Sequence, residues 1–250
     1  FRVHPRGTLS LGLGWDFDTN LRDNALIDQM LEDRRFVGME RFGIVTTKSF
    51  GIPAPALKQY AREVKKHAGD RHALALERWE TGFYDARAVA FLIDDPHQVT
   101  RNQMDAWAQD FDNWATVDGT CGYLFCRTPF AYEKAVEWAD SKQEYIKRAG
   151  FSLMAYLAVH DKKAEDSRLA AFFPVIENHS DDDRNFVRKA VNWALRQIGK
   201  HNLNLNMLAI ETAERIAMQN TKPARWIAAD ALRELRGEKV RERLMRKASK

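Results

Sequence analysis

Trp114 and Asp118 stand four residues apart, an indole and a carboxylate that a helix stacks on one face. Lys189, Trp193, Arg196 and Lys200 follow at steps of four, three and four, a second indole set among three cations. Arg148, in Ile146-Lys147-Arg148-Ala149, borders an apolar face of Tyr145, Ile146, Ala149 and Leu153, and Arg225 adds one more cation. Cations around an indole suit a phosphate backbone and a base. A fixed carboxylate beside them suits a positive charge that develops during a reaction. Each residue also has a plainer use: a Trp covering a helix edge, an Asp bonded to a neighbouring helix end, an Arg paired with an acid.

The elements that must position these residues are helical. Alternating apolar strands are nearly absent, whereas a 3.6-residue apolar period recurs from about residue 25 to the end. It predicts helices over 24–42, 54–67, 70–80, 83–93, 99–111, 112–127, 130–139, 142–159, 163–176, 183–199, 201–218, 223–235 and 238–247. Asp94-Asp95-Pro96 and Thr128-Pro129 punctuate helix ends, Pro223 fits a first turn, and Ser180 to Asp183 offer caps. On the helix from 183, Phe186, Val187, Ala190, Val191, Ala194, Leu195 and Ile198 fill the core arc, with the cation stripe at its edge.

Short connections make successive helices antiparallel. Starts near 142, 183 and 223 lie about 40 residues apart, the period of HEAT-type helical hairpins. The expected fold is therefore all-α, a single-domain α-solenoid of antiparallel helix pairs, with a compact helical bundle as the alternative. Alternate helices of such an array share a face, so Trp114, Asp118, Arg148, Trp193 and Arg225 fall on one side. Residues 1–22, with Pro5, Gly7, Gly12 and Gly14, read as a loose N-terminal extension ahead of a domain over 23–250.

Charge is uneven. The chain carries +4 overall, yet from Asp181 onward 16 Lys and Arg face 9 Asp and Glu. That basic third suits an acidic partner. Cys121 and Cys126, five apart on one predicted helix, favour neither a disulfide nor a metal clip, and the reduced cytosol is the expected compartment. No apolar run reaches the ~18 residues of a membrane span. The seven His are scattered, which disfavours a metal hydrolase, and no phosphate-binding or dinucleotide glycine motif occurs.

In order and spacing, several segments resemble the DNA alkylation repair family, the AlkD-like alkylpurine DNA glycosylases. They are Phe50-Gly51-Ile52-Pro53, Trp79 within Glu77-Arg78-Trp79, Trp114-x-x-Val117-Asp118, Lys147-Arg148-Ala149 and Lys189 to Arg196. The likeness spans roughly 39–235. It implies a HEAT-like solenoid gripping duplex DNA and excising cationic N3- and N7-alkylpurines, such as 3-methyladenine and 7-methylguanine, in base excision repair. It casts Asp118 as the catalytic carboxylate, Trp114 and Trp193 as aromatic walls, and Arg148 as a backbone clamp. DNA contacts are expected from Lys189, Arg196, Lys200, Arg225 and Phe42, the last standing where the family has a tyrosine. No cofactor, metal or membrane is expected, a monomer is enough, and the location implied is the cytoplasm, at the nucleoid. The alternative is a non-catalytic HEAT-like scaffold that binds DNA or protein.

Overall fold

The computed structural model describes residues 48–249, together with Met39, Ile44 and the backbone of three short strands near the start. Phe42 and nearly all of the helix expected over 24–42 lie outside the described residues. The strands, β1 (Arg2–Val3), β2 (Leu9–Leu11) and β3 (Trp15–Asp16), form an antiparallel sheet in the order β1-β2-β3, with Arg2 opposite Ser10 and Leu11 opposite Trp15. This differs from the loose extension expected there. Pro5, Gly7, Gly12 and Gly14 themselves lie outside the described residues.

Two compact units divide the chain, Phe1–Gln103 and Met104–Lys250. In the first, α1 (Ala54–His67), α2 (Arg71–Glu80) and α3 (Tyr84–Ile93) follow the predicted helices closely. Buried Asp85 organises the turn ahead of α1. Its carboxylate accepts from Ser49 Oγ at 2.8 Å, Phe50 N at 2.6 Å and Ile52 N at 2.9 Å, around Gly51 at φ 68°. Phe50 stacks on Phe83 at 4.7 Å. Trp79 is core, with the Arg87 guanidinium over its ring. The segments Phe50 to Pro53 and Trp79 thus build the scaffold. α4 (Arg101–Gln109) carries the boundary between the units.

The second unit holds α5 (Trp114–Tyr123), α6 (Ala131–Ala139), α7 (Glu144–His160), α8 (Asp166–Ala170), α9 (Phe172–Asn178), α10 (Asn185–Gly199), α11 (Leu203–Met218), α12 (Lys222–Leu235) and α13 (Glu238–Ala248). Two predicted helices are interrupted. The helix over 112–127 ends at Tyr123, and Phe125–Arg127 form a separate 3-10 turn after Leu124 leaves helical geometry. The helix over 163–176 splits into α8 and α9, because Pro174 has no N–H to give Ala170 and its ring crowds that carbonyl.

In this unit α5, α7, α10 and α12 pack side by side in one layer, with α6 and α11 packed against it. The layer's helices run parallel. Asp118 meets Arg148 and Gly122 meets Tyr156; Arg148 meets Phe186 and Tyr156 meets Trp193. Arg188, Asn192 and Arg196 then meet Trp226, Asp230 and Glu234 in the same sense. Apolar residues fill most of their packed faces: Val117, Leu153, Ala190, Ala194, Ile198, Ala224 and Ile227 have no exposed surface.

Candidate active site

Asn113 starts the site. Buried at 1% exposure, it accepts from Ala115 N at 3.0 Å and Thr116 N at 2.9 Å, so the first turn of α5 is fixed. One turn on, the Asp118 carboxylate points at α7. Its Oδ1 accepts from Arg148 Nε at 3.1 Å and Ser152 Oγ at 2.8 Å; its Oδ2 accepts from Arg148 Nη2 at 2.7 Å. Arg148 Nη1 donates to the Phe186 carbonyl at 2.7 Å, tying α5, α7 and α10 through one guanidinium. A carboxylate offers about four acceptor positions. Three are filled, and the open one is on Oδ2, in a side chain that keeps 17% of its surface exposed.

Aromatic rings border this carboxylate. Arg148 lies 6.0 Å from the Trp114 ring centroid. Farther along α7, Tyr156 packs over Gly122 and meets Trp193 edge to face at 5.0 Å. A Cβ on Gly122 would stand 2.4 Å from the Tyr156 ring, so only glycine admits the tyrosine there. Burial, and then the Asp118 charge, push the Tyr156 hydroxyl far above its usual pKa. The same two causes act on fully buried Cys121, whose thiol stays protonated and unreactive.

The cation stripe differs from its expected form. Lys189 is exposed. Arg196, however, bonds Glu234 at 2.5 Å and lies 3.5 Å from Asp230, while Lys200 bonds the other oxygen of Glu234 at 2.6 Å. Asp230 also receives Asn192 at 2.7 Å and pairs with Arg233. Burial alone would push the Glu234 carboxyl up, but the hydrogen bonds from Lys200 and Arg196 outweigh it and hold it below its usual value. Arg225 is exposed and folds back on the carbonyl and side chain of Asn220. Arg148, expected as a backbone clamp, commits three donors inside the protein. The physical reason is common to all: in water the nearest carboxylates and carbonyls take the cations first.

The structure therefore brings Trp114, Asp118 and Arg148 together and joins Trp193 to them through Tyr156. Lys189, Arg196 and Lys200 lie along α10, with Arg225 one helix over on α12. Sequence reasoning missed Ser152, Tyr156, Gly122, Asp230 and Glu234. Ser152 and Tyr156 carry a signal in hindsight, since they follow Arg148 at successive steps of four. Among the described residues, no group of three or more His, Cys, Asp or Glu is placed to hold a metal, and no helix is long and apolar enough to cross a membrane.

Comparison with known proteins gives two findings. The profile of a family described as DNA alkylation repair enzyme matches residues 25–235. A solved structure, described as a new family of proteins related to the HEAT-like repeat DNA glycosylases with affinity for branched DNA structures, superposes with a TM-score of 0.67. It is 19% identical, over 87% of this chain and 95% of that one, a likeness that shows the HEAT-like fold. No curated protein matches.

Proposed function

Because the chain belongs to the DNA alkylation repair enzyme family, we propose that it is a DNA glycosylase excising cationic N3- and N7-alkylpurines, such as 3-methyladenine and 7-methylguanine, from duplex DNA. The observation that carries this reading is Asp118: a carboxylate held by three donors, with one acceptor position open on Oδ2, whose partner Arg148 lies against the Trp114 ring.

An N3- or N7-alkylpurine already bears a positive charge. When its bond to C1′ breaks, the electron pair goes to the base, which leaves neutral, so no general acid is needed. Positive charge moves to the deoxyribose as an oxocarbenium-like ion. The open oxygen of Asp118 stabilises that charge and takes a hydrogen bond from the water that attacks C1′. Water supplies the new C1′–O bond and passes its proton to the open oxygen of Asp118 and from there to solvent, leaving an abasic sugar. Arg148 and Ser152 act as positioning residues, holding the carboxylate so that it need not reorient as charge develops. Trp114 and Trp193 attract a cationic lesion or sugar, by about 0.5–2 kcal/mol each, and so favour charged over neutral bases. Lys189 is available to a phosphate, and a monomer in the cytoplasm suffices.

A second reading has its own observation. The Asp118 charge is compensated by Arg148, as in a purely structural ion pair, and the similar solved structure is of a protein related to the glycosylases with affinity for branched DNA. On that reading the chain is a DNA-binding scaffold without catalysis. Release of 7-methylguanine from methylated duplex DNA decides between them. The glycosylase reading expects release by the native protein and a loss of about 100-fold or more in Asp118→Asn, with DNA affinity nearly unchanged. DNA binding without release selects the scaffold.

A further inference from the structure

Trp226 is the one tryptophan, among the described residues, that the fold leaves exposed, at 39%. The Arg188 guanidinium lies 4.8 Å from its ring centroid, and the buried Nε of Arg188 finds no hydrogen-bond partner in the protein. Lys222 and Arg225 precede Trp226 on α12 by four residues and by one, Lys189 follows Arg188 on α10, and all three are exposed. Neither α10 nor α12 has an acidic residue in its first turn, and Asp182, just ahead of α10, is taken by Arg184 at 2.6 Å and Lys147 at 3.2 Å. The patch is thus an indole backed by a guanidinium whose Nε is unpartnered; the nearest acid on its own helix, Asp230, is engaged by Asn192, Arg196 and Arg233, while Asp181 and Asp183 ahead of α10 are exposed.

Its position along the layer is regular. Asp118, Arg148, Lys189 and Trp226 are each the fifth residue of α5, α7, α10 and α12, whose first residues are Trp114, Glu144, Asn185 and Lys222. The contacts Asp118–Arg148, Arg148–Phe186 and Arg188–Trp226 put this row at about one height along four parallel helices. At roughly 8–10 Å per packed helix pair, Trp226 stands about 27 Å from Asp118, or about eight base pairs of DNA at ~3.4 Å each.

We propose that this row is a DNA track, and that Trp226 with Arg188, Lys222 and Arg225 is a second contact on it, which stacks an unpaired base and holds its phosphates. The proposal rests on DNA being the partner, as in the reading above, but not on catalysis. In a continuous duplex each base covers its neighbours, so an indole finds a free base face only at an end, a gap or a single-stranded arm. The contact would therefore favour discontinuous DNA over unbroken duplex.

The test uses the full chain and a duplex carrying a single-stranded arm with 2-aminopurine at its root, against a relaxed closed plasmid as continuous duplex. Stacking on an indole quenches 2-aminopurine fluorescence. The native protein should quench it, and Trp226→Ala should abolish the quench and weaken binding to the armed duplex about tenfold, with plasmid binding within twofold. Trp226→Phe should retain part of both. An unchanged quench in Trp226→Ala, or equal weakening on both DNAs, overturns the proposal. Release of 7-methylguanine from methylated plasmid is read in parallel. Its absence in the native protein would sink the glycosylase reading alone, and a persistent quench in Trp226→Ala with release intact would sink this one alone.

Discussion

Two clusters in the same helix layer pair carboxylates with cations, and they are built differently. Between α5 and α7, one carboxylate meets one guanidinium and one hydroxyl, with Arg148 only 8% exposed. Between α10 and α12, Asp230 and Glu234 meet Arg196 and Lys200 in side chains 15–30% exposed. In the first cluster both members have left most of their water, so their geometry is over-determined, and removing one strands the other. In the second, Arg196 and Glu234 keep 28% and 30% of their side-chain surface, so water and salt compete for that bond more than for Arg148 with Asp118. A rigid pair can present an oxygen to a reacting atom. A solvated one exchanges its partners more readily, which on the proposed DNA path would let an arriving phosphate displace Glu234.

Predictions that separate the two run from the first cluster to the second. The largest is the Asp118→Asn loss of base release already given. Arg148→Ala should follow, lowering unfolding free energy by up to about 3 kcal/mol in denaturant titration and reducing release together with it. Arg148→Lys should keep the fold yet cut release about tenfold, since an ammonium replaces a two-point fork. Retention of full release by the lysine variant would make Arg148 a plain charge partner.

Gly122→Ala tests the aromatic wall. The added methyl displaces the Tyr156 ring and should cost about 1–3 kcal/mol in thermal unfolding, and Gly122→Ala with Tyr156→Ala should recover part of it. Additive losses in the double variant would mean that the two positions do not share that contact.

Glu234→Gln is the smallest effect and has the opposite sign. Freeing Arg196 and Lys200 should tighten DNA binding about two- to fivefold at low salt and steepen its salt dependence by up to about two phosphate contacts. An unchanged slope would place those cations off the DNA path. Glu234 also contributes to stability in a pH-dependent way. Its folded pKa is lowered, so the contribution is full above the ordinary carboxylate range and disappears as pH falls through the lower value. Melting temperatures of the native protein and Glu234→Gln should converge in acid.

Much of this was legible in the chain. The spacing of Trp114 and Asp118, the stripe on α10 and the shared face of alternate helices follow from a period of 3.6 residues, and the structure places them on one layer. The start of α12 was legible as well, where Thr221 caps Ala224 N at 3.3 Å ahead of Pro223. The break at Pro174 was legible in principle but outweighed by the apolar pattern around it. Capping of α10 was read only in part: Asp182 bonds Arg184 N at 3.1 Å, but the residue at the cap position is Arg184 itself.

What the amino-acid order determines by itself is which residues share a helix face, because that needs only a fixed angle per residue. It also determines which ends are capped and where proline interrupts, since these depend on near neighbours in the chain. Who neutralises whom was decided by the tertiary structure. Arg148 finds Asp118 thirty positions away and Arg196 finds Glu234 thirty-eight away. The register of one helix against the next sets those meetings, and that register comes from packed apolar cores, through contacts that no local period encodes.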